Sequence, residues 1–165
     1  MASKRFYLHA EYNESLACYE NFYREKMCYN VTIGSQTKEM CADGANDLSE
    51  NISDVKGTRV AFEALKHKLG DNGKLKLRPL PDHFEFTNEQ IFFIARSQFW
   101  CDNDFLDDEY FVKVLKSSGP HPPHNVRVNA VPMQMHEFAE AFNCKLMDKM
   151  VTVEAEKCYL LPSGQ

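Results

Sequence analysis

No stretch of this 165-residue chain approaches the roughly 20 consecutive apolar residues that a membrane helix needs, so no transmembrane span is expected in it. Positive charge is also short, with 19 Lys and Arg against 24 Asp and Glu and a formal net charge of −5. The basic residues are scattered rather than striped, which removes the field that holds a nucleic-acid backbone or an anionic membrane. Internal repeats and low-complexity tracts are missing as well. The first ten residues carry Lys4 and Arg5 but no apolar segment behind them, which predicts no cleavable export signal within this sequence.

The composition itself is that of a globular domain: 44% hydrophobic and 26% charged. The length suits one domain with a real core and is too short for two. Six cysteines, an even number, are consistent with disulfides, although spacing alone does not fix their connectivity. Asn13-Glu-Ser15, Asn30-Val-Thr32 and Asn51-Ile-Ser53 satisfy the N-glycosylation acceptor pattern. Extracellular character without an export signal is a conflict, and it suggests a fragment or an incomplete gene product.

Periodicity predicts a mainly α chain. From Phe6 to Met27, Leu8, Tyr12, Leu16, Tyr19 and Tyr23 recur at steps of three and four. Cys28 to Asp47 is polar, contains Gly34 and Gly44, and reads as a loop bracketed by Cys28 and Cys41. A helix from about Asp47 to Leu69 is expected to bury Val60, Ala61, Ala64 and Leu65. Gly70 to Gly73 is turn chemistry, and Leu77 to Pro81 is an extended connector. Thr87 and Gln90 form the pattern of a capping box before a helix, Ile91 to Cys101, that is apolar nearly all round and reads as buried. A short helix is expected over Asp107 to Lys116. A stiff loop from Gly119 to His124 and an extended run from Val126 to Val131 follow, and then a helix from Met133 to Phe142.

One fragment carries chemistry. In Leu48-Ser49-Glu50-Asn51-Ile52-Ser53-Asp54, two carboxylates four apart lie on one helix face, a turn from each other. Glu50 has the place of a metal ligand and Asp54 that of a group orienting another ligand. A catalytic zinc needs three protein ligands, usually with two histidines from His-Glu-x-x-His. That motif does not occur here, since His136-Glu137-Phe138-Ala139-Glu140 puts Glu140 where the second histidine must stand.

From Cys18 to Cys158 the chain resembles the C-terminal third of the neprilysin and endothelin-converting-enzyme family of zinc endopeptidases. The resemblance is carried, in order, by Cys18, Glu50-Asn-Ile-Ser-Asp54, Gln90-Ile-Phe-Phe-Ile-Ala-Arg-Ser-Gln-Phe-Trp-Cys101, His121-Pro-Pro-His-Asn-Val-Arg127, Glu137 to Cys144, and Lys157-Cys158. It implies a partial domain, residues 1–165, from a thermolysin-like catalytic fold stapled by disulfides. By the same resemblance Glu50 is the third zinc ligand and Asp54 orients a zinc histidine. His121 donates to the oxyanion of peptide hydrolysis, and Arg127 binds a substrate backbone carbonyl. Cys18 pairs with Cys158 and Cys28 with Cys41. Cys101 and Cys144 match residues that pair far upstream, so both are expected unpaired here. The buried Cys101 should then react slowly and Cys144 faster, with a covalent dimer through Cys144. The family is extracellular or anchored at the plasma membrane.

The departures are the missing zinc-histidine helix with its general base, the missing Asn-Ala-aromatic strand, and a C-terminus of Leu160-Leu161-Pro-Ser-Gly-Gln in place of a tryptophan. The expectation is a peptidase segment that neither retains zinc nor hydrolyses peptides alone. The alternatives are a secreted non-catalytic module that binds peptides or a protein partner, or a fragment of an active endopeptidase. Structural readings stand beside these. Glu50 and Asp54 suit the first turn of any helix, and Arg127 suits an ion pair. Phe92, Phe93, Phe99 and Trp100 suit core packing, His67 and His83 a plain surface. His121 and His124 lack the further ligands of a zinc site.

Overall fold

The computed structural model describes residues 10–69, 86–101, 107–116 and 121–160. Leu8, Gly70 to Gly73, Leu77 to Pro81, His83 and the tail beyond Leu160 lie outside them. Helices dominate: α1 (Ala10–Lys26), α2 (Leu48–Leu69), α3 (Asn88–Gln98), α4 (Asp108–Lys116), α5 (His124–Met133) and α6 (His136–Ala141). A short 3-10 turn covers Glu154–Glu156. Among the described residues none of these helices is long and apolar enough to cross a membrane.

The segment read as a loop is a hairpin. Strands β1 (Cys28–Ile33) and β2 (Gln36–Cys41) pair antiparallel, with Cys28 opposite Cys41 and Ile33 opposite Gln36. Val31 is buried at 1% exposure and Tyr29 packs edge-on against Phe111 at 5.3 Å, while Asn30 and Thr32 face solvent. Gly34, at φ 62°, supplies the left-handed residue that a two-residue hairpin connection demands. Further on, Gly44 lies against α1 so closely that a Cβ there would meet the Glu20 carbonyl oxygen at 2.1 Å.

Helix α2 buries Asn51, Val55, Thr58, Phe62 and Leu69, which follow one another at helical spacing. The expected apolar side is turned outward instead: Val60 is 69% exposed, and Ala61 and Ala64 are exposed too. The aromatic contacts decide the rotation. Phe62 stacks on Phe93 at 5.3 Å and meets Phe92 edge-on at 5.2 Å, and Phe93 meets Phe138 at 5.3 Å. Small aliphatic groups on the other face cannot match that buried area.

The capping box forms: the Gln90 backbone N–H donates to Thr87 Oγ1 at 3.2 Å, and Thr87 N–H donates to Gln90 Oε1 at 3.0 Å. The helix it starts is less buried than expected. Phe93 is its one fully buried residue, and Phe99, just past its end, is 79% exposed. Phe99 and Trp100 therefore lie outside the core, and Cys101 beside them is an exposed free thiol while Cys144 is half-buried. This reverses the expected order of thiol exposure.

Residues 126–131, expected to be extended, are helical. Pro123 stands at the N-cap with its φ already set, and Val126, Arg127, Ala130 and Val131 turn one face inward. Valine-rich composition suggested a strand, but burial at steps of one, three and four overrides β propensity. Pro132 then ends this helix, so α6 starts anew at His136 instead of running from Met133.

Disulfides join Cys18 to Cys158 and Cys28 to Cys41. The C-terminal segment is held further by Tyr19 Oη and Arg59 Nη1, which both donate to the Cys158 carbonyl at 2.9 and 2.8 Å. Cys158 N–H donates to Gln134 Oε1 at 2.7 Å, and Arg59 lies 4.4 Å over the Tyr159 ring.

Candidate active site

The first turn of α2 fixes Glu50 and Asp54. Asn51 N–H donates to the Asp47 carbonyl at 2.9 Å, which starts the helix. Asn51 itself is 1% exposed and faces the core. Glu50 and Asp54, one turn apart, therefore share the face toward α5.

Helix α5 brings Arg127 to that face. Its Nε donates to Asp54 Oδ2 at 2.5 Å and its Nη2 to Asp54 Oδ1 at 2.6 Å, a bidentate pair. Nη2 also lies 3.8 Å from Glu50 Oε2. His121, just ahead of the helix, sets Nε2 3.4 Å from the same Glu50 oxygen. The side chains grade outward from Arg127 at 8% exposure and Asp54 at 13% to Glu50 at 35% and His121 at 55%. All four residues singled out in the sequence thus meet on one patch.

Four neighbours, Trp100, Arg96, Asp47 and Tyr23, belong to its surroundings without any sign of it in the sequence motifs. The Trp100 indole lies 3.9 Å from the Arg127 guanidinium and 5.3 Å from the His124 ring. Trp100 thus covers one face of the cation, a contact favourable in a partly desolvated setting. Arg96 donates from Nη2 to the Arg127 carbonyl at 3.1 Å and from Nε to Thr58 Oγ1 at 3.1 Å. The available signal was a charged residue set in an otherwise apolar helix, Ile91 to Ala95 followed by Arg96. Burial lowers the Arg96 pKa, with Asp54 opposing that shift. Asp47, at the head of α2, has its carboxyl pKa raised by burial and by the Asp43 charge. The Tyr23 pKa is raised by burial and then by Asp54, and its buried hydroxyl has no partner among the described residues.

A catalytic zinc takes three protein ligands. Glu50 Oε2 and His121 Nε2 are the two donors that converge here. Among the described residues the one closer-knit group of ligand-type side chains is Cys28, Glu39 and Cys41. Its two sulfurs are bonded to each other, so it offers no thiolate. The donors present therefore do not fit a catalytic zinc by themselves. A cavity of about 440 Å³, lined by Phe62, Lys66, Glu89, Glu137 and Glu140 among others, lies elsewhere and includes none of the four patch residues.

Against known proteins, residues 9–158 match the profile of Peptidase family M13. Neprilysin-1 of Caenorhabditis elegans is 38% identical over 102 residues, covering 62% of this chain and 13% of that protein. Human Endothelin-converting enzyme-like 1 is 32% identical over 133 residues, covering 78% of this chain and 16% of that protein. Mouse Neprilysin is 30% identical over 129 residues, covering 76% and 16%. The chain thus spans about 13 to 16% of the length of these relatives.

Proposed function

The chain belongs to peptidase family M13, a family of metallopeptidases, and from that premise we propose that its Glu50 patch is one wall of a metalloendopeptidase active site. The observation that carries this is the meeting of Glu50, Asp54, His121 and Arg127, drawn from two helices and the residues just ahead of α5. Glu50 is assigned as a zinc ligand whose companions these residues do not supply. Because the donors present do not fit the metal alone, no step of hydrolysis is assigned to this chain in isolation.

What the patch does by itself is bind and orient. Asp54 fixes the Arg127 guanidinium through Nε and Nη2 and retains lone pairs for the ring N–H of a metal-bound histidine. Arg127 Nη1 points no hydrogen bond at any described residue and is the donor for a substrate carbonyl. His121, half-exposed, is the donor for an oxyanion. The same arrangement also supports a second reading, a peptide-binding module without chemistry, because two donors are too few for zinc. The disulfides agree with an oxidising compartment. We read the chain as belonging to an exported glycoprotein.

The test is equilibrium dialysis against zinc together with hydrolysis of a quenched fluorescent peptide. The chain alone should retain no stoichiometric zinc and cleave nothing. Joined in frame to a segment bearing His-Glu-x-x-His in its native relation, it should cleave, and Glu50→Ala should abolish that. Zinc surviving dialysis of the isolated chain, with Glu50-dependent cleavage, would sink the two-donor argument. Peptide binding lost in Arg127→Ala, with cleavage in neither form, would select the second reading.

A further inference from the structure

We propose that Asn30 is the residue of this chain that carries an N-linked oligosaccharide, an inference that rests on the export reading above. The sequence offers three acceptor patterns, at Asn13, Asn30 and Asn51, and the fold treats them differently. A glycosyl transferase reads the carboxamide and the hydroxyl two residues on as one unit. In a strand, residues i and i+2 share a face, whereas in a helix they diverge by about 200°.

Asn30 and Thr32 lie on β1, both exposed, on the face opposite Val31, and the Thr32 hydroxyl shares a hydrogen bond with that of Thr37 across the hairpin at 2.9 Å. No side-chain hydrogen bond engages the Asn30 carboxamide among the described residues, and its cross-strand neighbour Glu39 is exposed as well. The hairpin beneath it is closed by the Cys28–Cys41 bond, so the glycan rests on a fixed platform. Asn13 is exposed but lies on α1, where its partner Ser15 falls about 200° round the helix. Asn51 is 1% exposed on α2, beside Glu50. A sugar on its Nδ2 has no room in the folded chain, so a chain modified there cannot reach this fold.

The step is a substitution at the anomeric carbon of a lipid-diphosphate oligosaccharide. The Asn30 Nδ2–C1 bond forms, the C1–O bond to diphosphate breaks with its electron pair leaving on oxygen, and the nitrogen loses one proton to a base of the transferase.

The experiment expresses the full chain behind a cleavable export signal in eukaryotic cells. It follows the mobility shift removed by a peptide N-glycosidase and maps the site by mass spectrometry of the soluble, disulfide-bonded product. The shift should vanish in Asn30→Gln and equally in Thr32→Ala, two unrelated exposed changes, and persist in Asn13→Gln. The signal-bearing chain translated into microsomes, where modification does not wait on folding, should also lose part of its shift in Asn30→Gln. An unmodified Asn30 in both settings would overturn the proposal, as would Asn51 occupied in the soluble product. Since the added signal forces entry, a negative result speaks against Asn30 and leaves the export reading to be judged by disulfide mapping of protein from its own source.

Discussion

Arg127 holds both carboxylate oxygens of Asp54, at 2.5 and 2.6 Å, across 73 positions of sequence. Both side chains are largely removed from water. Removing one partner strands the other's charge, a loss of about 3 to 5 kcal/mol where burial is deep. Asp54→Asn and Arg127→Met should each approach that range in urea unfolding, while the double variant should cost clearly less than their sum. Additivity within about 0.5 kcal/mol would mean that the two do not act as a pair.

The two disulfides should differ in worth. Cys18–Cys158 closes a separation of 140 residues and Cys28–Cys41 one of 13. On the loop-entropy account these correspond to about 5 and about 3 kcal/mol. Paired serine substitutions, read by denaturant midpoint under non-reducing conditions, should follow that order. A larger loss from the hairpin bond would show that native-state packing, not chain entropy, governs both.

Cys101 should modify faster than Cys144. Access and thiolate fraction set the rate, and Cys101 is the exposed one. Timed alkylation followed by peptide mass mapping gives the order directly. If Cys144 reacts first, exposure is not what controls these thiols, and an intermolecular bond should then be sought there and not at Cys101.

Tyr159 should ionise late. Burial first, then the hydrogen bond its hydroxyl donates to Glu154 at 2.5 Å, raises its pKa from 10.0 to about 12. The folded chain thus keeps a proton that the unfolded chain releases near pH 10. The stability tied to this group is complete below that pH and is lost as pH climbs toward about 12. A difference titration of phenolate absorbance between the parent and Tyr159→Phe should place the missing transition at the high end. A lost phenol that titrates near 10.0 would contradict the contact.

Gly44→Ala should destabilise the chain by about 1 to 3 kcal/mol, because the new methyl meets backbone, which cannot rotate away. The nearest atom would be the Glu20 carbonyl oxygen at 2.1 Å. Thermal unfolding of the variant measures this. A neutral result would mean that residues 43–47 do not lie on α1 in solution.

The patch was legible because its parts are local patterns. Glu50 and Asp54 share a face by helical spacing alone, and His121 lies six residues from Arg127 around a proline-marked turn. What joins them is tertiary: nothing in the spacing assigns Arg127 to Asp54 or lays Trp100 over the guanidinium. The hairpin is masked by Gly34 and its polar neighbours, which have the composition of a loop, while Val31-Thr32-Ile33 before Gly34-Ser35 carries the strand signal. The Val126–Val131 helix is masked for the opposite reason, since its β-branched residues favour a strand and only their burial period marks the helix. The outward turn of Val60 and Ala61 depends on Phe62 finding Phe93, a partner 31 positions away.

The clamp on Cys158 has a consequence for the order of synthesis. Tyr19 and Cys18 are made 139 and 140 residues before the carbonyl and the sulfur they bind. Until then the Tyr19 hydroxyl lacks its acceptor and the Cys18 thiol is open to the wrong partner, Cys28 or Cys41 being the nearest in sequence. Chains ruled by such distant contacts close slowly and expose apolar surface meanwhile. A chain stopped short of residue 158 therefore has neither fastening of α1 to the C-terminal segment, and only its completion sets Cys18 against its native partner.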